Sequence, residues 1–277
     1  MQVAAHTSLA GETQMDRELS LPHARLRYRD EGAGPALLLI HGWTLDLDMW
    51  EPQARALADA YRVIRFDRRG FGLSSGLPAL AHDICDVHSL CEHLDLSSVA
   101  VLGMSQGARV AAHIAAQSPS RVSCVIFDGP PSGIMQGEGV TEDEIPLAAY
   151  RELVREGGIE AFRKEWRRHP LVQLRAAHAP AHQLLARMLD RYRALDLRED
   201  APHTASPVAG IEAIDRPALV ISGQLDLQTR IRSADELSRA LPRCERALVP
   251  GAGHLPNLDE PGLYNALLRQ FLQRFAS

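Results

Sequence analysis

The stretch SVAVLGMSQGARVAAHIAA, from Ser98 to Ala116, constrains this chain more than any other. An aliphatic, β-branched run that stops at Gly-x-Ser-x-Gly and continues into alanine-rich sequence reads as a buried strand, a very tight turn and a helix. A turn that tight pushes Ser105 outward, while Gly103 and Gly107 allow neighbouring backbone to approach and Ala108, Ala111 and Ala112 let the helix lie close to the sheet. A serine hydroxyl is a weak nucleophile alone, so the chain must supply a base and an orienting acid downstream.

Short apolar runs recur on both sides of this turn: RLRYRDEG, ALLLIHG, YRVIRFD, VSCVIFD, ALVISG and RALVPG. Amphipathic stretches beginning near Met49, Leu80, Gln106, Ser233 and Pro261 alternate with them, the rhythm of a parallel sheet covered on both faces. The rhythm breaks between Ser132 and Gly210. There TEDE at Thr141–Glu144 has the form of a capping box, and Leu184, Leu185, Met188, Leu189 and Tyr192 recur at helical spacing. The expected organisation is a loose tail over 1–16, an α/β core over 17–131 and 211–277, and a helical cap over 132–210 that roofs the strands' carboxyl ends, where ligands bind.

Two more strand ends carry chemistry. QLD after ALVISG sets Asp226 just past one strand, and AGH after RALVPG sets His254 in the next such loop. The order Ser105, Asp226, His254 is that of a nucleophile, orienting acid and base on a strand-turn-helix scaffold. Asp128, at the end of VSCVIFD, is the rival acid, but it leads into Gly129-Pro130-Pro131, a turn with its own use for a carboxylate. HGW at 41–43 also ends a strand, where the Trp43 backbone N–H is positioned to join that of Gln106 in an oxyanion hole. His41 reads as structural and Asp67 as a loop organiser.

Composition excludes other classes. A formal net charge of −5 with no long block of like charge leaves no footprint for nucleic acid or an anionic membrane surface. The longest apolar runs are too short to span a bilayer, and the start lacks a basic segment followed by an apolar core. Cys85, Cys91, Cys124 and Cys244 lack the density of a disulfide framework, so a reducing cytoplasm is expected. In HDICDVHSLCEH a helix would turn Cys91 to the core and His82, Asp86 and His93 to solvent, so no metal site is expected. Lys164 is the single lysine among 30 basic residues, and Arg163, Arg167 and Arg168 in the cap read as a solvated face.

Taken together, LLLIHGW, VIRFDRRGFGLSS, VLGMSQG, LVISGQLD and VPGAGHLPNLDEP resemble the α/β-hydrolase superfamily in order and spacing over nearly the whole chain. DRRGFGLSS looks like its cofactor-free haloperoxidase and esterase branch, and GHLPNLDEP like its enol-lactonase branch. The resemblance implies a mostly parallel eight-stranded sheet with helices on both faces. It also implies hydrolysis of a small carboxylic ester or lactone by Ser105, Asp226 and His254 without a cofactor or metal. Perhydrolase or haloperoxidase-type activity, carbon–carbon bond hydrolysis and ligand reception on the same fold stay open, as does assembly into a homo-oligomer. Ser105 argues against the epoxide and haloalkane hydrolases, which use aspartate at the elbow, and Leu255 after His254 lowers the carbon–carbon hydrolase reading.

Overall fold

In the computed structural model, residues 15–135, 145–198, 201 and 208–276 are described. Eight strands form one sheet: β1 (Arg17–Leu21), β2 (Ala24–Glu31), β3 (Ala36–Ile40), β4 (Arg62–Phe66), β5 (Val99–Met104), β6 (Val122–Asp128), β7 (Ala218–Gly223) and β8 (Cys244–Val249). Their spatial order is β1-β2-β4-β3-β5-β6-β7-β8, with β1, β2 and β4 paired antiparallel and the rest parallel. Because β3 and β5 are neighbours while the chain winds away on either side, the loops after them open together at a switch point of the sheet.

The helices are α1 (Glu51–Leu57), α2 (Leu80–His93), α3 (Gln106–Gln117), α4 (Leu147–Trp166), α5 (Ala179–Arg191), α6 (Gln228–Ala240), α7 (Pro256–Asp259) and α8 (Pro261–Phe275). Strand alternation divides the core into two layers. On β3, Leu37 and Leu39 pack with Trp50 of the turn before α1 and Leu268 of α8, whereas Leu38 and Ile40 pack with Val87 of α2, Val110 of α3 and Leu237 of α6.

Several expectations shift. The strand that no apolar run marked is β1, whose RELSL sequence pairs only with β2 at the sheet edge. Residues 1–14 of the expected tail, and the TEDE capping box, lie outside the described residues. Asp16 is held by Arg27 Nε at 2.8 Å and Arg29 Nε at 2.6 Å. The helix expected near Ser233 starts at Gln228, bringing Arg230 into it. Asp86, expected at the surface, is buried because Arg69 grips it through Nε at 3.0 Å and Nη2 at 2.6 Å. Beside it Arg68 reaches the buried Asp83 at 2.7 Å. These two ion pairs tie the loop after β4 to α2.

Between β6 and β7 the described residues contain helices and single 3-10 turns and no strand. A left-handed Gly158, φ 73°, breaks α4 into two stretches. The Leu184, Leu185, Met188 and Leu189 stripe of α5 faces the core, and His178 caps the helix by accepting from the Ala181 N–H.

Candidate active site

Ser105 sits between β5 and α3 with φ 51° and ψ −115°, a backbone conformation that costs an L-residue energy and persists because its surroundings fix it. The flanking glycines are obligatory. A Cβ on Gly103 would lie 2.1 Å from the Gly107 carbonyl oxygen, and one on Gly107 would lie 2.4 Å from that of Ile40. The Ser105 N–H donates to the Asp128 carbonyl at 2.7 Å, which anchors the turn to β6.

His254 Nδ1 is 2.8 Å from Asp226 Oδ2, and both side chains are buried. The other Asp226 oxygen accepts from the Leu227 N–H at 2.7 Å. Gly129, φ 51°, lets the imidazole lie close against the loop after β6, since a Cβ there would meet His254 Cε1 at 2.9 Å. Asp128 is engaged elsewhere: its Oδ2 accepts from the Tyr264 hydroxyl at 2.9 Å, and burial pushes its carboxyl well above the usual range. Of the two carboxylates at adjacent strand ends, Asp226 is the one on His254.

Ser105 and His254 wall the same hollow, with Trp43, Leu45, Met104, Ile145, Trp166, Leu171, Val172 and Leu255. Its walls are apolar and aromatic, as ligand pockets commonly are. Ser105 Oγ makes no hydrogen bond to His254 here. Its polar neighbour is Arg230 Nη1, at 3.5 Å on the first turn of α6.

The loop after β3 completes the wall. Gly42 lies close enough that a Cβ would fall 3.5 Å from Ser105 Cβ, and the next residue is Trp43. Among the described residues the Trp43 backbone N–H donates to no protein acceptor. Gln106 is the first residue of α3, at the helix end whose partial charge favours an anion. His41 lies beneath this loop: its Nε2 accepts from the Arg68 N–H at 2.9 Å, which places the proton on Nδ1, 2.7 Å from the Gly42 carbonyl. Burial lowers its pKa well below the usual value, so the ring is a neutral brace. Asp67 accepts from the Leu47 and Leu73 N–H groups, both at 2.8 Å.

Sequence reasoning missed three residues at the site. Arg230 and Asp196 belong to no motif, and only the folded chain brings them near Ser105 and Trp43; Thr44 follows Trp43 in sequence, but its partner Trp166 is distant in the chain. The cap arginines are paired within the insertion: Arg163 with Glu160, Arg167 with Asp190 and Arg168 with Glu165. Among the described residues, no three His, Cys, Asp or Glu side chains converge as metal ligands, and no helix is long and apolar enough to cross a membrane.

Residues 35–261 match the family described as the alpha/beta hydrolase fold. A relative in Synechocystis sp. that bears a non-heme chloroperoxidase name is 30% identical, over 89% of this chain and 94% of its own. Among solved structures, a thermophilic esterase from Thermogutta terrifontis is 25% identical with a TM-score of 0.75, covering 95% of this chain and all of that one. An enol-lactonase from Burkholderia xenovorans LB400, 24% identical over 93% of this chain and all of its own, shares the fold with a TM-score of 0.76. The chain belongs to the α/β-hydrolase family.

Proposed function

We propose that the protein is a serine hydrolase that cleaves a small carboxylic ester or lactone through an acyl-enzyme. The observation that carries this reading is the Asp226–His254 hydrogen bond beside a hollow that His254 shares with an elbow serine. With Nδ1 committed to Asp226, the imidazole has Nε2 left for proton transfer, and Asp226 fixes that tautomer and stabilises the imidazolium.

Ser105 Oγ turns from Arg230 toward Nε2 and attacks the acyl carbon. Hydrogen bonds of this type are often long without substrate and tighten with it. His254 Nε2 takes the hydroxyl proton as the O–C bond forms, and the carbonyl electron pair moves onto oxygen. The Trp43 and Gln106 N–H groups receive that oxyanion, one such donor being worth about 3 kcal/mol of barrier. Collapse breaks the acyl C–O bond, and Nε2–H gives its proton to the leaving alkoxide, which stays tethered in a lactone. Water then repeats the sequence on the acyl-enzyme and releases the acid.

We treat 132–210 as a cap over a core formed by 17–131 and 211–277, with Trp166, Leu171 and Val172 limiting the acyl group to modest length. The four free cysteines fit a reducing, cytoplasmic setting. The name of the Synechocystis relative favours a second reading, in which hydrogen peroxide replaces water on the acyl-enzyme and a peracid leaves.

The test is a fluorophosphonate probe with peptide mapping, alongside hydrolysis of p-nitrophenyl acetate and butyrate. Labelling at Ser105, and loss of both labelling and turnover in Ser105→Ala, is the expected result. Equal turnover in Ser105→Ala ends the serine-hydrolase reading.

A further inference from the structure

The side chains of Trp43, Thr44 and Asp46, in the loop after β3, are each gripped by a different element of the insertion. Trp43 Nε1 donates to Asp196 Oδ2 at 2.5 Å. Thr44 Oγ1 accepts from Trp166 Nε1, at the end of α4, at 2.8 Å. Asp46 accepts from Arg191, the last residue of α5, through Nε at 2.8 Å and Nη2 at 3.0 Å.

Held only by its own backbone, this loop would be poorly determined. Thr44 sits at φ 62°, a left-handed conformation unfavourable for a β-branched residue, which persists only where the surroundings impose it. Those surroundings come from the insertion. The Trp43 indole is buried against Trp166, with ring centroids 4.7 Å apart, and against Phe162 at 5.8 Å and Tyr192 at 6.0 Å. These rings give it a slot, and Asp196 gives it an endpoint. Both carboxylate oxygens are committed, since Oδ1 accepts from the Tyr192 hydroxyl at 2.7 Å. The indole is one rigid plane joined to the backbone by a single Cβ. Anchoring its Nε1 and ring plane narrows the directions in which the Trp43 peptide can turn.

We propose that Asp196 is a positioning residue: by holding the Trp43 indole it holds the Trp43 backbone N–H toward the oxygen of an acyl group attached to Ser105. The insertion then governs the rate of the chemical step as well as the shape of the hollow. This rests on the serine-hydrolase reading above, which supplies the oxyanion that the N–H meets. A substrate-sized wall contact would act on binding. An oxyanion donor held in place acts where charge develops, so its loss appears in turnover.

The experiment uses the full chain and three variants: Asp196→Ala, Asp196→Asn, which keeps an oxygen acceptor for Trp43 Nε1, and Trp43→Phe, which removes that donor and leaves the backbone intact. Steady-state hydrolysis of p-nitrophenyl acetate gives kcat and KM, and an aryl trifluoromethyl ketone, which forms a tetrahedral adduct with a serine, reports oxyanion binding. Circular dichroism confirms folding at the assay temperature. Removing an oxyanion donor outright costs about 10²–10³ in kcat, so releasing one from its anchor should cost about 30-fold in Asp196→Ala. Affinity for the ketone should fall in parallel, with KM within about threefold. Asp196→Asn should recover kcat to within about fivefold of wild type. Trp43→Phe should follow Asp196→Ala, and it keeps the question open to measurement if that variant fails to fold. A raised KM with kcat and ketone affinity unchanged overturns the inference and leaves Asp196 a wall support. If the fluorophosphonate leaves wild-type Ser105 unlabelled, the hydrolase reading falls and this inference with it; labelling at Ser105 with kcat unchanged in Asp196→Ala overturns this inference alone.

Discussion

The loops after β3, β5 and β8 and the insertion between β6 and β7 line one hollow, and Gly129 and Asp226, from the loops after β6 and β7, back the His254 ring, yet different physics holds the strand-end loops and the insertion. Backbone contact fixes the strand-end loops: Gly103, Gly107 and Gly129 stand where any side chain would strike a carbonyl or the His254 ring. Side chains hold the insertion, through the rings around Trp43 and the polar grips of Asp196, Trp166 and Arg191. Backbone contact leaves little room for motion or for substitution, whereas side-chain docking tolerates exchange of one apolar group for another of similar volume. Placing the proposed triad on the first and much of the hollow's wall on the second lets substrate range change while Ser105, Asp226 and His254 stay put, the Trp43 N–H being the one proposed catalytic group that the insertion positions. Substitutions on either side of the hollow put that division to the test.

The largest effect separates two carboxylates at neighbouring strand ends. Asp226→Asn keeps the shape at His254 but presents the wrong partner to Nδ1–H, and a change of this kind costs a serine protease about 10⁴-fold in kcat. Asp128→Asn retains an oxygen for the Tyr264 hydroxyl and removes a carboxyl that burial already drives toward its neutral form, so turnover should stay within about tenfold of wild type. Steady-state kinetics on both folded variants checks the pair. A dead Asp128→Asn beside an active Asp226→Asn would move the acid one strand back.

Next comes Gly129→Ala. The new methyl must displace the imidazole by a fraction of an ångström or strain a φ of 51°, and misplacement of this order is worth about 10²-fold in rate. The variant should fold, keep KM and lose kcat. Unchanged turnover would mean that the loop after β6 yields more readily than the comparison allows. A smaller response is expected from the insertion side: Leu171→Ala enlarges the hollow and should raise kcat/KM for butyrate relative to acetate by about tenfold, with acetate turnover little changed. A fall in turnover on every ester, with no change in preference, would erase the distinction between the two regions.

This division also explains what the sequence made legible. Ser105, Asp226 and His254 stand at fixed offsets from apolar runs, and a buried parallel strand followed by Gly or Asp is a local signal. Strand β1 gave none, because RELSL carries only two apolar residues, Leu19 and Leu21, beside two adjacent charges at an edge strand that pairs only with β2. Helical periodicity sent Asp86 to the surface, since its partner Arg69 lies on a loop outside that helix and neutralises a carboxylate that could not otherwise be buried. Asp196 and Thr44 were invisible for the same reason. Their roles come from the insertion folding back on the loop after β3, a contact that no window of sequence contains.

The smallest effect concerns the joint between the two regions, where Asp46 of the core receives Arg191 of the insertion. Burial, reinforced by the nearby Asp67, raises the Asp46 pKa to about 7, although Arg191 opposes the shift. An unfolded aspartate titrates near 3.9. The folded value is therefore the higher one, so the stability that protonated Asp46 contributes is fully present below about pH 4 and is lost as pH rises toward about 7. In Asp46→Asn the side chain stays neutral, and that loss disappears. The melting temperature of Asp46→Asn, measured against wild type, should accordingly climb by a few degrees between pH 5 and pH 8, at about 2–4 °C per kcal/mol for a chain of this size. Taking the difference between two chains cancels the groups they share, to the extent that those groups do not respond to Asp46 itself. Asp67 does respond, so the double variant Asp46→Asn with Arg191→Gln isolates the grip: without the guanidinium, the same pH change should leave the comparison with Arg191→Gln larger still, because the cation no longer offsets ionisation of the buried carboxyl. A gap that stays constant from pH 5 to pH 8 would mean that Asp46 is ionised throughout, and that a full charge pair, rather than a carboxyl poised to titrate, joins the insertion to the core.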